Sequence, residues 1–341
     1  MVFQQIMEAR EPVEHKDSER RVTERKVSFL IPAYNEEESI PELYRQVMEN
    51  VRICEEEGLM TDYEFLFIND GSRDGTAEAL RELHRQDPKV RYLFFRKNFG
   101  KSAALETGFR NVTGDVVITM DADLQDDPCE LKNFLMKLDE GYDLVSGWKH
   151  NRLDPAEKRL PSKLFNKVTA KMSGIPLHDF DCGYKAYRRE VTDALDLYGS
   201  MHRYIPVLAW RHGYRIAEIP VHHNKRKYGK SKYGMERYLQ GLFDFLTVFF
   251  LTRYADRPMY FFGRIGLFTG GIGFLICLYL AVIRICGEAI GGRPLLLLGV
   301  LLIMLGIQFL SVGFIGNMYV DHNVRRDYNE HKILERSEDE Q

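Results

Sequence analysis

Short apolar runs and longer amphipathic stretches alternate along residues 27–150. The spacing predicts strands over Val27–Ile31, Tyr63–Asn69, Val90–Phe95, Asp115–Met120 and Asp143–Ser146. Helical periodicity falls between them, near Glu37–Glu57, Asp74–Arg85, Ser102–Asn111 and Cys129–Asp139. Strand–helix alternation of this kind predicts an α/β domain with a parallel sheet covered on both faces, whose ligands sit at the carboxyl ends of the strands. Polar clusters follow those ends: Pro32–Glu36, Asp70–Thr76, Arg96–Lys101 and Asp121–Asp127. Four loops aimed at one edge make a binding site.

Beyond residue 150 the pattern changes. Arg159, Lys163, Lys167 and Lys171 recur every fourth residue beside Leu160, Leu164, Val168 and Met172. Such a stripe is either a solvated helix face or a surface for anionic lipid headgroups. A second basic cluster, Lys225–Arg237, leads into Leu239–Leu251, which carries the polar stripe Glu236, Gln240, Asp244 and Thr247. That segment is too short to span a bilayer and predicts a helix lying in the interface, with packing against the soluble domain as the alternative.

Two uncharged runs follow, 19 residues from Ile265 to Ile283 and 26 from Leu295 to Val320. As helices they reach roughly 28 and 39 Å, against a hydrocarbon core of about 30 Å. Two buried core helices are the alternative. Arg253, Arg257 and Arg264 precede the first run, while Arg325, Arg326 and Lys332 follow the second. The positive-inside rule then predicts a membrane hairpin with both termini and the α/β domain in the cytoplasm. Residues 1–26 are polar, with no apolar segment of the kind that opens a secretory leader. The expected organisation is a polar tail (1–25), an α/β domain (26–234), an interfacial region (235–258), a two-helix hairpin (259–321) and a second polar tail (322–341).

Composition narrows the function classes. The 341 residues are 45% hydrophobic and 28% charged, which excludes a disordered chain. A formal charge of −3 argues against a nucleic-acid partner, which needs a strong positive excess. The mean hydropathy of −0.32 looks soluble only because it averages two unlike halves. Five cysteines without a CxxC pair predict neither a disulfide framework nor a zinc cluster, and fit a reducing compartment.

The chemistry-bearing residues lie in the strand-end loops. Asp121-Ala122-Asp123 closes a β-branched strand, where two carboxylates can hold a hard divalent cation against phosphate oxygens. Alone the pattern is also a common solvated turn, but Leu124-Gln125-Asp126-Asp127-Pro128 adds oxygen donors before a helix start. Asp70, in Asn69-Asp70-Gly71-Ser72-Arg73-Asp74-Gly75-Thr76, sits in a turn with an expected helix cap at Asp74, and can accept bonds from a ribose or base. In Pro32-Ala33-Tyr34-Asn35-Glu36, Tyr34 can stack on a base and Glu36 can accept from its polar edge.

These pieces, in this order over residues 26–235, resemble the family 2 glycosyltransferases of the GT-A fold. Asn98-Phe99-Gly100-Lys101, Asp121 to Pro128, Asp179-Phe180-Asp181-Cys182-Gly183-Tyr184-Lys185, Arg203-Tyr204-Ile205-Pro206 and the Arg226, Gly229, Ser231, Lys232, Tyr233 pattern are similar to the polyprenyl-phosphate branch. The resemblance implies a nucleotide sugar, Mg2+ or Mn2+, a polyprenyl monophosphate, and homo-oligomers, tetramers among them. It implies nucleoside contacts from Pro32, Tyr34, Glu36 and Asp70. Lys101, Asp121, Ala122, Asp123, Arg226 and Lys232 would line the donor site, with Asp121, Asp123 and Gln125 at the metal. Asp123, Asp179 or its rival Asp181, and Arg203 would carry the chemistry. Acceptor phosphate would meet Lys149, Arg159 and Lys163, although Lys149 stands where several relatives have Arg.

The charges predict how such an enzyme works. A phosphate monoester has its second pKa near about 6, so it is largely a dianion at neutral pH and needs no strong base. It needs cations on both sides to approach a diphosphate-bearing carbon, and in-line attack inverts that centre. UDP-glucose is the favoured donor, with GDP-mannose close behind. A processive polysaccharide synthase would carry Gln-x-x-Arg-Trp and more spans, and this chain has neither. A non-catalytic scaffold would not need the acidic cluster together with the paired basic loops.

Overall fold

The computed structural model describes residues 24–150, 166–224 apart from 168, 172, 198 and 200, then 247, 250, 254, 257–289 and 294–326, with side chains to 320. The chain divides into two compact units, residues 1–245 and 246–341.

In the first unit, β1 (Lys26–Ala33) and β2 (Asp62–Asn69) are almost continuously buried, as strands covered on both faces must be. Helix α1 (Ile40–Glu56) buries Ile40, Leu43, Val47, Val51 and Cys54, a three-to-four-residue spacing along one face. It starts three residues later than the periodicity suggests. Ser39 and Ile40 both donate backbone N–H groups to the Glu36 carbonyl, and Pro41 then takes a first-turn position where its missing N–H costs nothing. Next come α2 (Thr76–Gln86), β3 (Val90–Phe94), α3 (Lys101–Phe109), β4 (Val116–Thr119) and α4 (Leu131–Asp139). The Asp74 carboxylate accepts the Thr76 N–H at 3.2 Å, so it caps α2 from one residue before the cap position, which Gly75 occupies.

Three further strands complete the sheet: β5 (Leu144–Lys149), β6 (Lys185–Arg188) and β7 (Ile216–Val221). The spatial order is β3-β2-β1-β4-β6-β5-β7. All neighbours are parallel except β6, which runs antiparallel to both β4 and β5. The sheet is therefore mainly parallel and Rossmann-like, but not uniformly so, because β6 is wedged between two strands that precede it in the chain. β5 extends past its expected end at Ser146 because β7 pairs with it residue by residue, from Leu144 opposite Ile216 to Lys149 opposite Val221. That pairing carries Lys149 to the carboxyl edge. Pro220 is tolerated because β7 is an edge strand. Short helices α5 (Arg189–Ala194) and α6 (Ile205–Arg211) flank β6 and β7.

The second unit is a hairpin of α7 (Pro258–Ile285) and α8 (Pro294–Arg326). Both helices are long and apolar enough to cross a membrane, with mean hydropathy of 2.2 and 2.6 over their best windows. Glycines set their contact: a Cβ at Gly266 would come within 2.7 Å of the Gly306 carbonyl, and one at Gly273 within 2.6 Å of the Gly299 carbonyl. Leu267, Phe268, Leu275, Leu297, Ile315 and Met318 face outward. Most of the expected interfacial region over 235–258, nearly all of both polar tails, and Arg159 and Lys163 of the basic stripe lie outside the described residues, while Lys167 and Lys171 are exposed; α8 continues to Arg326, past the expected start of the second tail at 322.

Candidate active site

The loops after β1, β2, β3 and β4 meet at the carboxyl edge, as parallel strands require. Within β1, Pro32 lies opposite Ile68, and Tyr34 follows half-buried. Asn35 has φ 57°, an αL conformation that asparagine tolerates; its N–H donates to Ser72 Oγ and its Oδ1 accepts the Arg73 N–H at 2.8 Å. The Glu36 carboxylate accepts the Ser39 hydroxyl at 2.7 Å. Asp70 is buried and uses both oxygens on the next loop, accepting the Phe99 N–H at 2.7 Å and the Gly100 N–H at 2.9 Å. Gly71 presses on the same loop, since a Cβ there would lie 2.4 Å from the Lys97 carbonyl carbon. The two loops behave as one unit ending at Lys101.

Lys101 reaches across to the Asp121 carboxylate in a short ion pair. Burial pushes the Asp121 carboxyl up, but Lys101, then Lys149 and Lys185, outweigh it and hold the group well below the usual carboxylate range. Asp121 is therefore ionised. The Asp123 carboxylate accepts the Gln125 N–H at 3.2 Å, the buried Ala122 sits between the two acids, and Leu124 takes φ 62°. Asp126 is buried, accepts the Asp121 N–H at 3.2 Å and pairs with Lys149 at 3.0 Å. Lys149 thus enters the site neutralised by Asp126, and its charge is strongly retained despite burial because of that neighbour. The Gln125 amide makes long contacts of 3.4 Å to His223 and 3.5 Å to the Asn224 carbonyl.

A second acidic loop arrives from before β6. Asp179 is buried, and one oxygen accepts the Asp181 N–H at 3.2 Å and the Asn166 amide at 3.4 Å. Glu218 on β7 accepts the N–H groups of His178 and Asp179, both at 2.9 Å, which pins the start of this loop. Asp181 is half-exposed and pairs with Arg203 Nε at 3.2 Å. Lys185 is buried in β6 and donates to the Cys182 carbonyl; burial lowers its pKa. His202 is held down to about 3 by burial and by nearby Lys101, so it is neutral.

The structure thus brings Lys101, Asp121, Asp123, Asp126, Lys149, Asp179, Asp181 and Arg203 to one edge. Arg159, Lys163, Arg226 and Lys232 lie outside the described residues. Ser102, His202 and Glu218 were missed from the sequence, because each acts through a partner far along the chain and no local spacing marks them; Lys185 ended a motif but carried no assigned role.

A divalent cation fits this edge. Among the described residues no three His, Cys, Asp or Glu side chains converge into a closed cage. Mg2+ in phosphate chemistry typically takes one or two carboxylates and completes its shell with substrate phosphates and water. Asp121 and Asp123 are carboxylates of the kind such a donor set would use. Only a glycine lets the backbone approach this carboxylate so closely, since a Cβ at Gly183 would come within 2.6 Å of Asp121.

Comparison with known proteins places the chain. The model of glycosyl transferase family 2 matches residues 28–196. A crystal structure of a mycobacterial protein shares the fold, with a TM-score of 0.50 and 18% identity over 71% of this chain and 80% of that one. The crystal structure of glucosyl-3-phosphoglycerate synthase from Mycobacterium tuberculosis with Mn2+ and UDP-glucose gives 0.48 at 18% identity, over 67% and 79%. The dodecaprenyl-phosphate galacturonate synthase of Rhizobium johnstonii is 34% identical over 327 residues, 92% of this chain and 94% of that protein. The chain belongs to glycosyl transferase family 2 and is a glycosyltransferase of the GT-A fold. Within that family it groups with the polyprenyl-phosphate glycosyltransferases.

Proposed function

We propose that the protein transfers a sugar, with inversion, from a nucleotide sugar to a polyprenyl monophosphate at the cytoplasmic membrane face. The observation that carries this reading is the alternation of charge at one strand edge: Lys101 on Asp121, Lys149 on Asp126 and Arg203 on Asp181. A site where two phosphorylated molecules must approach needs cations on both sides of the reacting carbon. The Rhizobium relative, similar over nearly its whole length, is named for a polyprenyl-phosphate product.

Asp121, Asp123 and Gln125 would hold Mg2+ or Mn2+, which when bound would neutralise charge developing on the leaving diphosphate. Pro32, Tyr34 and Glu36 receive the nucleoside, while Asp70 fixes the loop that delivers Lys101. One acceptor phosphate oxygen attacks the anomeric carbon and forms the new C–O bond, while the bond from that carbon to the diphosphate oxygen breaks and its electron pair leaves on the diphosphate oxygen. No proton need be removed, because the acceptor is already a dianion. Arg203, with Arg159 and Lys163, meets the acceptor phosphate. Asp181 orients Arg203 or a sugar hydroxyl, and the buried Asp179 shapes the loop.

The donor sugar is a hexose or its uronic acid. UDP-glucose and GDP-mannose head the candidates from the residue pattern, and the relative's name adds a galacturonate donor. The hairpin anchors the catalytic unit with both termini cytoplasmic, and subunits assemble as homo-oligomers. Purified protein in detergent, given polyprenyl phosphate and each of UDP-glucose, GDP-mannose and UDP-galacturonate, should form a lipid-linked sugar from one donor, and EDTA should abolish it. Nucleoside diphosphate release with no lipid product from any donor would overturn the acceptor assignment. Arg159→Ala should raise the acceptor requirement steeply and leave donor binding unchanged.

A further inference from the structure

Ser102 and Glu106 on one face of α3, and Arg110 at its C-cap, follow at four-residue steps, and each grips the segment running from residue 193 to 203. Arg110 donates to the Asp193 and Leu195 carbonyls, both at 3.3 Å, and pairs with Asp196 at 2.5 Å. Glu106 accepts the Leu197 N–H at 2.8 Å. Ser102, 1% exposed, accepts the His202 N–H at 3.0 Å and meets His202 Nδ1 at 2.9 Å. The residue before Ser102 is Lys101, on Asp121; the residue after His202 is Arg203, on Asp181. The last rung of this ladder therefore joins the two chain segments that carry the cations of the site.

Ser102 and His202 match each other's hydrogen-bonding capacity. The hydroxyl oxygen accepts the backbone N–H and keeps its own proton to give to Nδ1, the arrangement open to a neutral imidazole protonated at Nε2. A hydroxyl held from both directions cannot rotate. Arg203 is a long side chain whose freedom must be lost to act at one place. Fixing the backbone next to it removes part of that freedom in advance. Ordinary packing of a segment against a helix is the alternative, and it would make all three rungs equivalent.

We propose that Ser102 and His202 are positioning residues for sugar transfer: their clip sets Arg203 against Asp181 in register with Lys101 against Asp121. The proposal rests on Arg203 serving the phosphates, as proposed above. Ser102→Ala should lower kcat about tenfold to a hundredfold, the scale of a small misplacement at a reacting centre, with donor KM little changed. His202→Ala should behave alike, while His202→Asn, whose amide can replace Nδ1, should recover most of the loss.

The deciding measurement is a double-mutant cycle with Arg203→Lys. If the clip acts through Arg203, Ser102→Ala adds little to a chain already carrying that change, whereas Glu106→Gln multiplies with it. Multiplicative loss for Ser102→Ala, or a Glu106→Gln effect coupled just as strongly, would overturn the proposal in favour of packing. Hydrogen exchange over 201–206 supplies a readout independent of turnover. The His202 amide should lose protection in Ser102→Ala, and unchanged protection would overturn the clip itself. Normal transfer by Arg203→Ala would instead refute the role given to Arg203 and leave the clip to be judged by exchange.

Discussion

The two acidic loops at the catalytic edge use the same residue type in two ways. In the loop after β4, Asp126 is buried against Lys149 and accepts the Asp121 N–H, while Asp121 and Asp123 stay partly exposed. In the loop before β6, Asp179 is buried and accepts from Asn166 and the Asp181 N–H, while Asp181 faces Arg203 half-exposed. Each loop thus holds one acid that shapes it and at least one that faces the site. The loops differ in what meets the buried acid directly: Lys149 pairs with Asp126, whereas the Asn166 amide and the Asp181 N–H are among the partners of Asp179. A buried carboxylate paired with an ammonium leaves an uncompensated charge if either is removed, whereas a hydrogen-bonded one can be replaced by a neutral acceptor.

Four substitutions sharpen or break that contrast. The largest effect should come from Asp123→Asn, which removes a carboxylate proposed to hold the metal without touching the core. Turnover at saturating Mg2+ should fall between about a hundredfold and a thousandfold with thermal stability unchanged, and near-normal turnover would remove Asp123 from the metal site. Asp126→Asn should instead act on folding. Leaving Lys149 buried without its partner should cost about 3 kcal/mol, read as a lower denaturant midpoint. Across the site, Asp181→Asn should cut turnover by about tenfold or more, while Asp179→Asn, which keeps its acceptor oxygen, should lower stability by about 1 kcal/mol and turnover by less. Equal effects of these last two would erase the distinction between the shaping and the facing acid.

Two smaller effects follow from charge. Asp121 is depressed in the folded state, so the stability it contributes is present above its unfolded value of about 4 and is lost as the pH falls toward the folded one. Lys101→Gln removes the strongest attraction on Asp121, raises its folded pKa and should move the acid unfolding midpoint upward; no movement would mean that Lys149 and Lys185 suffice. Smallest of all, Lys171→Ala on the exposed part of the basic stripe should change transfer in anionic vesicles by less than about twofold, and added salt should erase the difference.

Much of the first half of the fold was legible from residue order because parallel α/β structure leaves little freedom. A buried parallel strand needs a continuous apolar run, its covering helix needs a stripe, and every loop after a strand must emerge at the same edge. Those constraints placed Tyr34, Glu36, Asp70, Lys101, Asp121 and Asp123 near one another before any coordinates. The two apolar runs were legible for a different reason: α7 and α8 turn large apolar side chains outward, and only length and composition are needed to see that.

The tertiary structure alone decided which charges meet. Lys101 finds Asp121 and Lys149 finds Asp126 because strand order, which local periodicity does not encode, sets which loops adjoin. Local periodicity does not mark β6, because an antiparallel strand wedged between β4 and β5 is a matter of topology, nor β7, whose partner β5 comes some seventy residues earlier, from Leu144 paired with Ile216. Asp179 and Asp181 are chemically identical and two residues apart, so only burial separates the acid that shapes the loop from the one that faces the site. Ser102 and His202 lie a hundred residues apart. A hydroxyl and an imidazole carry no mark of each other in the chain, and only the packing of α3 against the segment before Arg203 gives them a common purpose.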